Sequence, residues 1–206
     1  MHPLLATTYS AGDTAWVLAS AALVLFMTPG LAIFYAGMVR RKNVLAILMQ
    51  NWVTMAVVGL LWVWIGYSLA FGPNAGSLGL IGTLRFFGMA HMAGAVPGFT
   101  GSSAMDIPPI AFVIFQLMFA VITAALLTGS AADRMKFSAF LVFITMWSLV
   151  VYAPIAHWVF SPVGWLAQRG TEDFAGGTVV ELTSGVSGAA LALVLGRRQG
   201  LSLIHI

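Results

Sequence analysis

The chain has 206 residues, 60% of them hydrophobic and 7% charged, with a formal net charge of +3. Nine basic and six acidic side chains cannot cover a water-facing surface of this size, so composition excludes a soluble globular domain and makes lipid the solvent. The absence of cysteine excludes disulfides, thiolate nucleophiles and Cys-ligated metal sites.

The start, Met1 to Ala6, lacks the basic n-region and short apolar core of a secretory signal, and is expected to be retained. No residue between Asp13 and Arg40 is charged, and at about 1.5 Å per residue this run exceeds the roughly 30 Å of bilayer hydrocarbon. It predicts a first span over about 14–39. Arg40, Arg41, Lys42 and Asn43 form a basic turn, and a second span over 44–71 ends at the turn-forming Gly72-Pro73-Asn74-Ala75-Gly76. Residues 77–106 are glycine-rich and carry Arg85, His91, Pro97 and Asp106, which suits an ordered external loop; a re-entrant or short buried helix over Leu78 to Met92 is the alternative. A third span is predicted over 107–129, a polar connection at Asp133-Arg134-Met135-Lys136, a fourth span over 137–158 and a fifth over 176–196, stopped by Arg197-Arg198. The fold class is all-α integral membrane.

Lys and Arg counts set the orientation. Arg40, Arg41, Lys42, Arg134, Lys136, Arg197 and Arg198 fall on one side, Arg85 and Arg169 on the other, so the N-terminus is expected outside and the end of the chain in the cytoplasm. Trp62, Trp64, Trp158 and Trp165 lie near the outer ends of spans two and four, as an interfacial aromatic belt would. Pro29-Gly30 permits a kink in span one, and Ser184 with Gly188 and Gly185 with Ala189 put small residues four apart on span five, where helices approach closely.

An ionisable group inside a membrane is costly and usually functional, and Glu181 alone sits clearly within a span. His157, near the outer end of span four, reads as structural or interfacial; His2, His91 and His205 fall in tails or loops. No His, Asp and Glu cluster has metal-ligand spacing, and the glycines around Gly82 and Gly88 lack the strand-helix context of a nucleotide fingerprint, so neither metal nor cofactor is expected. The basic residues lie in clusters between spans rather than along one face, which argues against nucleic acid.

Several stretches resemble the ammonium transporter, methylammonium permease and Rhesus family, in the family's order. They include Gly12-Asp13-Thr14-Ala15-Trp16, Met27-Thr28-Pro29-Gly30 running to Phe34-Tyr35-Ala36-Gly37-Met38-Val39-Arg40, and Lys42-Asn43-Val44-Leu45. Further on come Phe115-Gln116 with Phe119-Ala120, Arg134 with Phe137-Ser138-Ala139, Tyr152-Ala153-Pro154-Ile155-Ala156-His157-Trp158, and Asp173-Phe174-Ala175-Gly176-Gly177-Thr178-Val179-Val180. The resemblance runs from about Asp13 to Gly200 and implies the five-span N-terminal half of an eleven-helix inverted-repeat pore that assembles as a homotrimer. Residues 1–200 are accordingly expected to be the first half of the transporter domain. The closing Leu201-Ser202-Leu203-Ile204-His205-Ile206 is unlike family sequence and resembles translated adapter sequence, so 201–206 is expected to be a non-family tail on a truncated reading frame.

Asp173, followed by Gly176-Gly177, reads on its own as an N-cap for span five; the resemblance adds a role in shaping the outer recruitment site. Phe115 and Phe119, four apart, share a helical face, and the resemblance makes them a stacked aromatic gate between that site and the pore. Phe160 matches a position where many relatives carry Trp, the recruiting aromatic, so a weaker outer site is expected. Glu181 stands where most relatives place the first of two pore histidines, and certain fungal permeases carry Glu there; the expected role is a proton relay, the alternative a structural acid paired within the bundle.

The expected function is channel-like uptake of ammonium as ammonia plus a proton, with no enzymatic chemistry. The alternatives are a membrane ammonium sensor domain, which a fused cytoplasmic domain would favour, and an inactive fragment lacking half its pore. A membrane hydrolase fails for want of a metal motif or paired carboxylates. The resemblance also implies a PII-type regulator acting on the full-length protein.

Overall fold

Ser10 starts the first helix by capping it: its Oγ accepts from the Asp13 N–H at 3.2 Å, satisfying one of the amide donors that a helix start leaves free. The computed structural model describes residues 9–198, apart from the side chain of Ser102. Among them five helices are long and apolar enough to cross a membrane: α1 (Ala11–Ala36), α2 (Arg41–Phe71), α3 (Pro109–Ala131), α4 (Phe137–Phe160) and α5 (Gly177–Leu195). The Ser10 cap is why α1 begins before the charge boundary at Asp13, and α1 continues through Pro29 as one helix. Residues 201–206 lie outside the described part.

The helix α3 is the centre of the bundle. It packs against α1, α2, α4 and α5, and 61% of its most apolar stretch is buried, against 17% for α1. Three helices contain a π-helical turn, a geometry that costs hydrogen-bond quality and recurs at functional sites: Trp62–Gly66 in α2, Ser148–Tyr152 in α4 and Gly177–Leu182 at the start of α5. The first two face each other, with the Trp62 and Tyr152 ring centroids 6.2 Å apart.

Trp62 therefore departs from the expected aromatic belt. It is 2% exposed and its indole N–H donates to the Val113 carbonyl on α3 at 3.2 Å. An unbroken apolar run carries no signal of which face turns inward, so position along the chain grouped it with Trp64, which is 56% exposed. Trp158 and Trp165 do meet at the loop end, edge to face with centroids 5.6 Å apart.

Residues 77–106 form neither a crossing nor a re-entrant helix. They fold as an ordered loop with short helical turns at Leu84–Met89 and Gly101–Ser103. Ser68 on α2 anchors it, its hydroxyl donating to the Thr83 carbonyl at 2.9 Å and accepting from the Phe86 N–H at 2.8 Å, and Phe86 and Val96 enter the core. On the same end His157 is buried, with Nδ1 2.8 Å from the Ala70 carbonyl and Nε2 2.8 Å from Asn74 Oδ1. This joins α4 to the end of α2.

Close backbone approach fixes that junction. A Cβ on Gly164 would sit 1.9 Å from the His157 carbonyl oxygen. Gly164→Ala must push the 161–166 turn off α4, and is expected to destabilise by about 3 kcal/mol; thermal melting in detergent measures it, and an unchanged midpoint would refute the contact. On α5, Gly188 lies against Ser130, whose Oγ would be 2.9 Å from an added Cβ, while Gly185 meets nothing within 4 Å. Of the two small-residue rows, the one with Ser184 and Gly188 packs within the bundle and the one with Gly185 and Ala189 is exposed.

At the opposite end Arg198 ties three helices together. Its Nη2 donates to the Gly129 carbonyl at 2.7 Å and its Nη1 to the Met38 carbonyl at 3.3 Å, gathering the ends of α1, α3 and α5. The seven basic residues counted on one side thus collect at one end of the bundle.

Candidate functional site

The entry to α5 is built around a glycine in the left-handed region. Gly176 has φ 88°, a conformation that suits glycine because it has no Cβ. The turn it makes brings the first amides of α5 back onto Asp173, whose Oδ2 accepts from Thr178 N–H at 3.0 Å and from Val179 N–H at 2.9 Å. Asp173 is therefore a helix cap, and its carboxylate complements the positive end of the α5 dipole.

Asp173 also lines a cavity of about 260 Å³ whose wall includes Phe115, Phe119, Phe160, Phe112 and Gln116. All four residues assigned from sequence to the outer site and gate, namely Phe115, Phe119, Phe160 and Asp173, come together here from three different segments. The Phe115 and Phe119 rings meet edge to face, with centroids 4.9 Å apart and planes at 87°, rather than as a parallel stack. Edge-to-face contact is the favoured geometry for the ring quadrupoles, and both rings line the cavity.

Gln116 was not singled out among the site residues. Its side chain is 9% exposed, and its Oε1 is buried with no hydrogen-bond partner among the described residues. A buried unpaired amide is costly, and an amide in the middle of the otherwise apolar α3 is the signal that could have marked it. Aromatic rings and one carboxylate, without a basic group, line a cavity that suits a small cation.

Glu181 lies apart from that cavity, one turn further along α5, and is exposed. Among the described residues no side chain pairs with its carboxylate. A Cβ on Gly177 would lie 3.8 Å from Glu181 Oε2 and 3.9 Å from Asp173 Oδ1, so the bare glycine keeps open the gap between the two carboxylates.

The Ammonium Transporter Family model matches residues 15–203. This chain belongs to that family. It is 46% identical over 207 residues to an ammonium transporter of Mycobacterium tuberculosis, covering 92% of this chain and 43% of that protein. A Bacillus subtilis ammonium transporter is 46% identical over 189 residues, covering 91% of this chain and 45% of that one. Among solved structures, Saccharomyces cerevisiae Mep2 superposes with a TM-score of 0.84 at 39% identity, over 94% of this chain and 43% of that one. A structure described as a sensor Amt protein superposes with a TM-score of 0.79 at 28% identity, over 90% and 44%. The chain thus spans less than half the length of these relatives, and it is a multi-pass membrane protein that supplies about half of the ammonium transporter fold.

Proposed function

We propose that this chain is the first half of an inverted-repeat pore for uptake of ammonium. The observation that carries this is the 260 Å³ cavity, where Asp173, Gln116 and the rings of Phe115, Phe119 and Phe160 converge at the mouth of α5. Ammonium is drawn by the Asp173 carboxylate and held against ring faces. Passing Phe115 and Phe119 strips its water, and ammonia crosses after one proton leaves the nitrogen for the Glu181 carboxylate, which later returns it.

In the same reading the basic end faces the cytoplasm, by the positive-inside rule, and the N-terminus lies outside. The pore assembles as a homotrimer, for which the exposed Trp16, Phe26 and Phe34 of α1 offer an apolar contact face. The test is uptake of labelled methylammonium by cells without their own ammonium transport, expressing residues 1–200 either alone or joined to the second half of a family member. Uptake by the joined chain alone supports a half-pore; none from a joined chain that reaches the membrane overturns the proposal.

The likeness to a sensor Amt protein supports a second reading, a membrane sensor domain. It predicts that the joined chain binds ammonium without taking it up.

Phe160→Trp offers a larger ring face to the cation. It is expected to tighten the outer site by about 1 kcal/mol, roughly a fivefold fall in the apparent KM for methylammonium, at unchanged maximal rate. Equal KM values would remove Phe160 from the site.

A further inference from the structure

Residues two turns apart on an α-helix share a face, so the packed row of α5, Ser184, Gly188 and Leu191, runs back by the same spacing to Glu181 and Gly177. Neither of these is packed. Both are exposed, and the residues buried in that first stretch are Val179 and Val180 instead. The π-helical turn over Gly177–Leu182 is the cause, because its longer bonds, such as Glu181 N–H to the Gly176 carbonyl at 3.2 Å, fit more residues into a turn than an α-helix holds. The two valines are swung inward and Glu181 outward.

One residue of that turn is held from both sides. The Thr178 N–H is taken by Asp173, while the Thr178 carbonyl accepts twice from Thr183, from its N–H and from its Oγ1 at 2.9 Å. Thr183 is buried, which keeps water from competing for that carbonyl. We propose that Thr183 is a positioning residue: its hydroxyl fastens the π-helical turn that keeps the Glu181 carboxylate off the packed face of α5 and on the open one. An α-helical turn in its place carries Glu181 onto the row of Ser184 and Gly188, which lies against Ser130. An unpaired carboxylate there gives up its charge and is shut away from any proton donor outside the contact. The consequence for transport rests on the proton role proposed above for Glu181; the fastening of the turn does not.

The chain has no cysteine, so Glu181→Cys supplies a single thiol whose reaction with a water-soluble maleimide reads which way that position faces. In the detergent-purified chain, adding Thr183→Val to Glu181→Cys is expected to slow the reaction about fivefold, and adding Thr183→Ser to leave it within about twofold. Gly185→Cys is the control, on the exposed row beyond the turn, and should react equally with either threonine variant. An unchanged rate with Thr183→Val, a Thr183→Ser protein as slow as Thr183→Val, or an equal fall in Gly185→Cys overturns the proposal. The second readout is the ammonium-dependent current of residues 1–200 joined to the second half of a family member. There Thr183→Val should lower the current about fivefold and add no further loss to Glu181→Gln. If the maleimide rates shift as expected while Glu181→Gln keeps full current, Thr183 fastens the turn and only the proton role of Glu181 fails. If Glu181→Gln loses current while the rates stay put, the proton role stands and Thr183 is not what positions it.

Discussion

Asp173→Ala is expected to abolish most uptake, because one carboxylate does two jobs. It caps α5 through Thr178 and Val179, and it is the one acid lining the 260 Å³ cavity. Loss of the cap costs about 1 kcal/mol of helix stability. Loss of a charge a few Å from a bound cation, screened by water at the mouth, costs roughly 1–2 kcal/mol of recruitment, or roughly tenfold in uptake at low ammonium. Asp173→Asn separates the two effects, since an amide oxygen still accepts from the α5 amides while the charge is gone. The Asn variant should melt close to the parent and still lose recruitment; labelled methylammonium uptake and thermal melting in detergent read both. If Asp173→Asn transports at the parent rate, the carboxylate is only a cap.

Glu181 carries the second large effect. Glu181→Gln keeps size and shape but cannot take a proton, and residues 1–200 bearing it, joined to the second half of a family member, should lose roughly tenfold or more of the ammonium-dependent current. Glu181→His restores a group that accepts and returns a proton, with a different dependence on acidity. The pH profile of the current is therefore expected to differ between the Glu181→His protein and the parent. Electrophysiology across pH on both proteins decides the point, and superimposable profiles would remove Glu181 from proton transfer.

Charge placement, with the turn-forming cluster Gly72-Pro73-Asn74-Ala75-Gly76, located the five spans, because charges in hydrocarbon are so costly that their absence is informative. The end of span five was legible for the same reason at Arg197-Arg198, whereas the Ser10 cap lies outside the charge pattern, so α1 begins earlier than charge placed it. Rotation about each helix axis was not legible. Trp62 shows why, since in lipid a Trp on the inner face and a Trp on the outer face are both surrounded by apolar residues. The cavity beside Asp173 was legible residue by residue only through family motifs, and Gln116 slipped through as a motif letter although it is the one side-chain amide in α3. Nor did anything in the composition foretell that residues 77–106 would be pinned by Ser68 and feed Phe86 and Val96 into the core.

The clasp made by Arg198 has a consequence for how the chain is made. Its two acceptors, on Met38 and Gly129, are synthesised 160 and 69 residues earlier. The central helix α3 is likewise third to emerge, after the two neighbours it must hold. Packing among the first four spans needs no residue of the fifth, but the contacts that gather the ends of α1 and α3 onto α5 can form only after the fifth span has been made.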